Sequence, residues 1–229
     1  MRIAFAGNPN SGKTTMYNAL TGRNEKVGNW AGVTVDKKEA PIRKIYAHGH
    51  KLMAVDLPGA YSMSPFTSEE SVTSEFIRKE NLDAIINIVD ATNLSRSLFF
   101  TTQLLELGVP VVVALNKTDV TQKKETTIDV KQLSEKLGCP VIETVSTSYK
   151  GLNEVVKAAV ARKGMTQSAP YSQGAVDTDD EEMDAFLFSL GCYAGEPITV
   201  ISRRRGTCVV SIKDGRYTIG DDLAECIQL

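Results

Sequence analysis

Residues 7–14 constrain the fold of this chain more than any other part of its sequence. They read Gly-Asn-Pro-Asn-Ser-Gly-Lys-Thr, the GxxxxGK[ST] pattern, and lie between a short apolar run at 2–6 and a stretch with helical spacing at 13–20. The two glycines let a backbone wrap closely around a phosphate, and the start of a helix favours an anion. The order strand, loop, helix therefore predicts an α/β domain that binds a phosphate.

The side chains of this loop predict a nucleotide with its metal ion. Lys13 supplies a point charge for the β- and γ-phosphate oxygens, and the hydroxyl of Thr14 is a hard oxygen ligand for Mg²⁺. A simple glycine-rich turn would need neither group at these positions. The residues predicted to contact the phosphates are Gly7, Asn8, Asn10, Ser11, Gly12, Lys13, Thr14 and Thr15.

A second motif, Asp56-Leu57-Pro58-Gly59, begins with an acidic residue and follows the extended run at 51–55. An acidic residue at this place can hold the same Mg²⁺ through water, and a glycine can donate its N–H to the γ-phosphate. Asp56 is therefore predicted as a magnesium ligand and Gly59 as a phosphate contact.

Two segments are predicted to respond to the γ-phosphate. Thr34 is the natural second hydroxyl ligand of Mg²⁺, because no other candidate lies between the phosphate loop and Asp56. Order in 23–37 and in 59–74 would then depend on bound GTP, which makes both segments switches. Lys13, Thr34 and Gly59 are the residues predicted to act in hydrolysis.

The motif Asn116-Lys117-Thr118-Asp119 selects the base. A carboxylate at Asp119 accepts both N1–H and the exocyclic amino group of guanine, whereas adenine has an acceptor at N1. Asn116 and Lys117 complete this motif, and Ser146 and Thr147 lie in a later loop whose backbone N–H would meet the guanine carbonyl. The predicted cofactors are GTP or GDP with Mg²⁺.

The remaining pattern predicts a mostly parallel α/β sheet, the architecture of Ras-like P-loop GTPases. Its buried strands are continuous apolar runs rather than alternating ones, which implies cover on both faces. Two further extended runs, at 41–47 and 51–55, are predicted to pair through a turn. The buried runs are 84–89, 109–115 and 140–145, and the helical stretches are 68–79, 97–107, 130–137 and 151–162.

After residue 162 the composition changes, and we predict three parts: a GTPase domain at 1–165, a linker at 166–182 and a small SH3-like β module at 183–229. The extended runs of the module are 198–202, 207–213, 216–220 and 224–229. Lys and Arg number 26 against 28 Asp and Glu, so no global field favours nucleic acid, and the basic cluster 203–205 is interpreted as a solvated turn. No apolar run reaches the length that crosses a bilayer.

These motifs resemble the cytosolic domain of the ferrous-iron transporter B family, FeoB, within the translation-factor-related GTPases. The likeness runs from residue 2 to about 162 and includes the segments 28–35 and 56–65, outside the motifs shared by all such GTPases. The resemblance implies that Asn10 ligates K⁺ beside the phosphates, with the backbone carbonyls of Gly28 and Trp30. Potassium would then supply the charge that other GTPases take from an arginine finger. Residues 183–229 resemble the C-terminal half of FeoA.

The resemblance implies a GTP-hydrolysing switch in Fe(II) uptake, cytoplasmic or at the cytoplasmic face of the inner membrane. Ala60 stands where Ras-like enzymes keep a water-orienting glutamine, so slow, potassium-stimulated hydrolysis is expected. A polytopic iron permease is the expected membrane partner, no nucleic-acid partner is expected, and self-association is left open. The family's helical domain and transmembrane segments are not evident. The alternatives are a nucleotide sensor with negligible hydrolysis and a potassium-dependent GTPase of ribosome or tRNA biology.

Overall fold

Apolar strands at the centre of a seven-stranded sheet organise the first part of the chain. The computed structural model describes residues 1–22, 26–29, 36–63, 73, 76–78, 80–124, 126–169, 198–204, 206–212 and 215–220. The chain divides into two units, Met1–Ser172 and Gln173–Leu229. Within the described residues, no helix combines the length and apolar character that a membrane span requires.

The strands of the first unit are β1 (Arg2–Gly7), β2 (Lys26–Asn29), β3 (Asp36–Pro41), β4 (Met53–Asp56), β5 (Ala84–Asp90), β6 (Val111–Asn116) and β7 (Val141–Glu143). They form one sheet in the order β2-β3-β4-β1-β5-β6-β7, and β1 is parallel to both β4 and β5. Parallel pairing continues through β6 and β7, whereas β3 is antiparallel to both β2 and β4. The mostly parallel sheet predicted from the sequence is confirmed.

Helices cover both faces of this sheet, because successive side chains of each central strand point to opposite sides. The helices are α1 (Lys13–Thr21), α2 (Leu94–Leu105, after a 3-10 turn at Ala91–Asn93), α3 (Thr118–Lys123), α4 (Val130–Leu137) and α5 (Leu152–Ala161). Ile3 and Phe5 pack in one buried cluster with α1 and α5, and Ala4 and Ala6 pack in the other with α2 and α4.

The predicted strand at 41–47 is wrong. The strand that pairs with β4 is the charged segment Asp36–Pro41, and turns follow it. The cause is a change of hydrogen-bond partner: the N–H of Ile42 still bonds Leu52, but the N–H of Arg43 bonds the carbonyl of Leu20 at the end of α1. Of the helix predicted at 68–79, the described residues 73 and 76–78 are helical.

The strands described in the second unit are β8 (Ile198–Arg204), β9 (Thr207–Ile212) and β10 (Gly215–Gly220). They form an antiparallel sheet in the order β10-β9-β8, so a small β-rich C-terminal part is confirmed. Arg203 and Arg204 belong to β8 rather than to the predicted turn, because they pair with Cys208 and Thr207. The run predicted at 224–229 lies outside the described residues.

Gln167 fixes the beginning of the predicted linker to the first unit. It is only 7% exposed, and its backbone N–H donates to the carbonyl of Gly108 at 3.1 Å. Its side-chain amide donates to the carbonyl of Gly138 at 3.3 Å and accepts from Arg162 at 2.9 Å. The division into 1–165, 166–182 and 183–229 stays a prediction, but the chain is packed on the first unit at this residue.

Candidate functional site

The loops predicted to bind a nucleotide meet at one edge of the sheet, beyond the carboxyl ends of β1, β4, β6 and β7. This edge is where open parallel sheets bind ligands. The phosphate loop follows β1, the acidic motif ends β4, the base motif begins at the end of β6, and the serine-containing loop follows β7.

The backbone of the phosphate loop depends on its glycines. Gly12 has φ +94°, and a Cβ there would lie 2.3 Å from the side-chain nitrogen of Asn116. A Cβ at Gly7 would lie 2.6 Å from the carbonyl oxygen of Ile88. Asn10 also has a positive φ, of 65°, which asparagine tolerates better than most residues. Any larger residue at either glycine would therefore force the loop out of this shape.

Lys13 and Asp56, from the two motifs predicted to share the phosphates and Mg²⁺, form an ion pair. The Nζ of Lys13 lies 2.6 Å from Oδ1 of Asp56, and the two side chains are only 11% and 10% exposed. The hydroxyl-bearing Thr14 and Thr15 follow at the start of α1 and are exposed. A carboxylate and a hydroxyl are hard oxygen donors, so Asp56 and Thr14 fit a magnesium ion.

Asn116 joins three of the loops. It is 3% exposed, and its amide nitrogen donates to the carbonyl of Ser11 in the phosphate loop at 2.9 Å. Its amide oxygen accepts from the backbone N–H and the hydroxyl of Ser146, both at 3.0 Å, and from the hydroxyl of Thr144 at 3.3 Å. Asn116 therefore holds the phosphate loop and the serine-containing loop together, in addition to its predicted place in the base motif.

Lys117 makes a second link across the site. Its backbone has φ +63°, and its Nζ donates to the carbonyl of Asn10 at 2.7 Å and to Oδ2 of Asp90 at 2.6 Å. Burial alone would raise the pKa of Asp90, but hydrogen bonds from Lys117 and Thr92 outweigh burial and hold this pKa below its usual value. Asp90 thus stays ionised and keeps Lys117 in place.

Asp119 lies in the first turn of α3 and is partly exposed. The turn that carries it is anchored by Thr118, whose buried hydroxyl donates to the carbonyl of Thr144 at 3.3 Å. Thr147 is exposed beside the buried Ser146. The carboxylate is therefore presented from a fixed turn next to the serine-containing loop.

Gly59 packs on the phosphate loop, where a Cβ on it would lie 3.3 Å from Pro9. The N–H of the following residue, Ala60, donates to the carbonyl of Gly7 at 3.3 Å. Gly28 lies in β2 opposite Lys37. The predicted ligands Trp30 and Thr34 lie outside the described residues, as do parts of both predicted switches.

Sequence reasoning missed three residues that hold this site in place, Asp90, Thr144 and Arg96. The side-chain amide of Asn8 is buried and donates to the carbonyl of Arg96 in α2 at 3.3 Å. The one available signal was that Asp90 ends an apolar strand, at the edge where the other loops lie.

Two domain families match this chain. Residues 1–159 match the family described as "Ferrous iron transport protein B", and residues 174–229 match the FeoA domain. The Fe(2+) transporter FeoB of Salmonella typhimurium is 47% identical over 166 residues, which are 71% of this chain and 21% of that protein. The Escherichia coli K12 transporter is 46% identical over the same shares. The matched part thus spans about a fifth of the length of these relatives.

Solved structures agree with these matches. A GDP-bound variant of the S. thermophilus FeoB G-domain is 47% identical, with a TM-score of 0.67 over 71% of this chain and 61% of that one. The cytosolic domain of L. pneumophila FeoB is 35% identical, with a TM-score of 0.70 over 83% of this chain and 72% of that one. The predicted fold is therefore confirmed for the first unit.

Proposed function

Because the chain belongs to the ferrous iron transport protein B family, we propose that it binds GTP and GDP, hydrolyses GTP and acts as a nucleotide switch in Fe(II) uptake. The observation that carries this proposal is the linkage of the phosphate, base and serine-containing loops by Asn116 and Lys117 at one edge of the sheet. A site so linked binds phosphate and base as one ligand. The crystallised S. thermophilus relative with GDP supports the choice of nucleotide.

The basic and the oxygen-bearing side chains of the site have different ligands. Lys13 binds the β- and γ-phosphates, and Asp56 and Thr14 hold Mg²⁺, with Thr34 proposed as the second hydroxyl ligand. Bound Mg²⁺ neutralises charge on the phosphates during transfer. The ion pair of Lys13 with Asp56 must therefore open when the nucleotide binds. Lys13 then contacts the negative phosphates, and Asp56 contacts the positive Mg²⁺. Gly59 donates its N–H to the γ-phosphate.

Competition binding tests the nucleotide assignment. We expect Mg²⁺-dependent binding of GTP and GDP, with ATP weaker by a factor of about 10⁴, since Asp119 pairs only with the donors of guanine. Displacement of labelled GDP by each nucleotide measures this ratio. Comparable affinity for ATP would refute the assignment.

The link to iron is tested in cells. Removal of the protein should lower ⁵⁵Fe(II) uptake at low iron supply, and unchanged uptake would contradict the proposed role in iron transport.

We propose in addition that K⁺ stimulates hydrolysis through the amide oxygen of Asn10, in the place where other GTPases use a positive side chain. Asn10 is exposed in the phosphate loop, and its backbone carbonyl accepts a hydrogen bond from Lys117. Hydrolysis should be about tenfold or more faster in KCl than in NaCl, and Asn10→Ala should lose this difference. Single-turnover GTP hydrolysis in the two salts measures the effect.

The matched control is Asn153→Ala, an exposed asparagine on α5 that is not among the predicted site residues. It should keep the full response to K⁺. Equal wild-type rates in both salts would refute the potassium site. The basal rate should be slow, because the methyl side chain of Ala60 is buried and cannot orient a water molecule.

A further inference from the structure

Helix α2 contacts the site at three points that the nucleotide motifs do not include. The carbonyl of Arg96 accepts from the amide of Asn8 in the phosphate loop at 3.3 Å. The guanidinium of Arg96 lies 4.1 Å from the ring centroid of Tyr61. The side-chain oxygen of Gln103 accepts from the backbone N–H of Met63 at 2.8 Å. One helix thus supports both the phosphate loop and the segment 60–63 that follows Gly59.

This helix is a firm support. Its buried Thr101 accepts a 2.6 Å hydrogen bond from Asn87 of β5, which fastens α2 to the sheet. Arg96, Phe100 and Gln103 are spaced so that they lie on one side of the helix. Phe100 is fully buried in the same apolar cluster as Ala60 and Met63. The position of α2 therefore determines where residues 60–63 can lie.

The contact between Arg96 and Tyr61 is a stacking contact. The Nε of Arg96 is buried and has no hydrogen-bond partner among the described residues, so no polar network at Nε competes with the ring for the guanidinium. A guanidinium over an aromatic face is attracted by the ring's negative face. The stack is thus the interaction that the Arg96 side chain makes with the segment after Gly59.

We propose that Arg96 is a positioning residue for GTP hydrolysis, which holds Gly59 against the phosphate loop through its stack on Tyr61. This inference rests on the proposed function. Gly59 is two residues before Tyr61, and Ala60 between them already donates to Gly7. The backbone N–H of Gly59 meets only the γ-phosphate, which GDP lacks. Loss of the stack should therefore weaken steps that involve GTP and leave GDP binding alone.

The central test is Arg96→Ala in the full chain. We expect kcat for GTP to fall about fivefold to tenfold, the loss expected from one partly buried cation–π contact, while the Kd for GDP changes by less than about twofold. Where turnover is too slow to follow, the affinity ratio of a non-hydrolysable GTP analogue to GDP should fall by the same factor. Rates and equilibrium titrations with fluorescent nucleotides provide both measurements.

Variants of the ring separate positioning from general stability. Tyr61→Leu should lose as much as Arg96→Ala, whereas Tyr61→Phe, which keeps the ring, should retain most of the rate. The double variant Arg96→Ala/Tyr61→Leu should lose no more than either single change, because residues that act through one contact are not additive. The matched control is Lys157→Ala, which removes an exposed helix cation from α5.

Three outcomes would overturn the inference. One is a wild-type kcat and affinity ratio in Arg96→Ala. Another is an equal loss of GDP affinity in the same variant, which would show a structural role only. The third is additivity of the two single changes. A wild-type chain that binds neither GDP nor GTP is a different result, because it refutes the proposed function and the inference together.

Discussion

Asp119→Asn should change the nucleotide that this chain prefers from guanine to xanthine. The amide presents a donor to guanine's own donors, whereas xanthine has a carbonyl at C2 that accepts from it. We expect GDP affinity to fall by about 10³-fold or more, and XDP to bind more tightly than GDP. Competition of both diphosphates against a labelled nucleotide measures the reversal.

The structure indicates that this substitution changes the proposed contact with the base and leaves the fold intact. Asp119 is partly exposed at the start of α3, and the neighbouring Thr118 anchors the turn through Thr144. The matched control is Asp129→Asn. Asp129 accepts from the N–H of Gln132 at the start of α4, and asparagine can cap a helix equally well. This control should keep wild-type GDP affinity. If Asp119→Asn lost GDP without gaining XDP, the proposed pairing with the base would be wrong.

Lys13→Ala should lower the affinity for GDP and GTP by about 10²- to 10³-fold, because a charge-assisted contact to the phosphates is lost in a partly buried site. The same change leaves the carboxylate of Asp56 buried without its 2.6 Å partner. Breaking such a buried pair costs about 3 to 5 kcal/mol. In a domain of this size that corresponds to a loss of about 6 to 20 °C in the melting temperature without nucleotide.

The double variant Lys13→Ala/Asp56→Asn separates the two effects. Removing the carboxylate's charge should restore most of the melting temperature, while nucleotide affinity stays low since both ligand-binding charges are gone. Calorimetry and titration measure the two quantities. A melting temperature that does not recover would show that the ion pair contributes little to stability. Wild-type nucleotide affinity in Lys13→Ala would refute the proposed role of the phosphate loop in binding.

The phosphate loop and the order of the motifs could be predicted because their requirements are local. Gly7 and Gly12 are set by backbone shape, and β5 and β6 are recognisable as continuous apolar runs. The strand β3 could not be predicted, because Asp36–Pro41 is a charged segment whose pairing with β4 is decided by tertiary contacts. The apolar residues at 41–47 favoured a strand there, one segment after the true position of β3.

The support around the site could not be predicted either. Lys117 with Asp90, and Arg96 with Tyr61, are contacts between loops and helices that belong to different strands. Their proximity depends on the strand order β4-β1-β5-β6, which the apolar pattern alone does not specify. The residues of the motifs are therefore readable from sequence, but the residues that hold them in place are not.

The bonds of Gln167 determine how a mechanical load would enter this protein. Gly108 and Gly138 precede β6 and β7, so the chain is tied at the amino ends of two strands whose carboxyl ends lead to Asn116 and Thr144. A pull on the chain after Gln167 would have to break these hydrogen bonds before it loaded α5. The first unit would therefore give way at this tie before its sheet carried any tension.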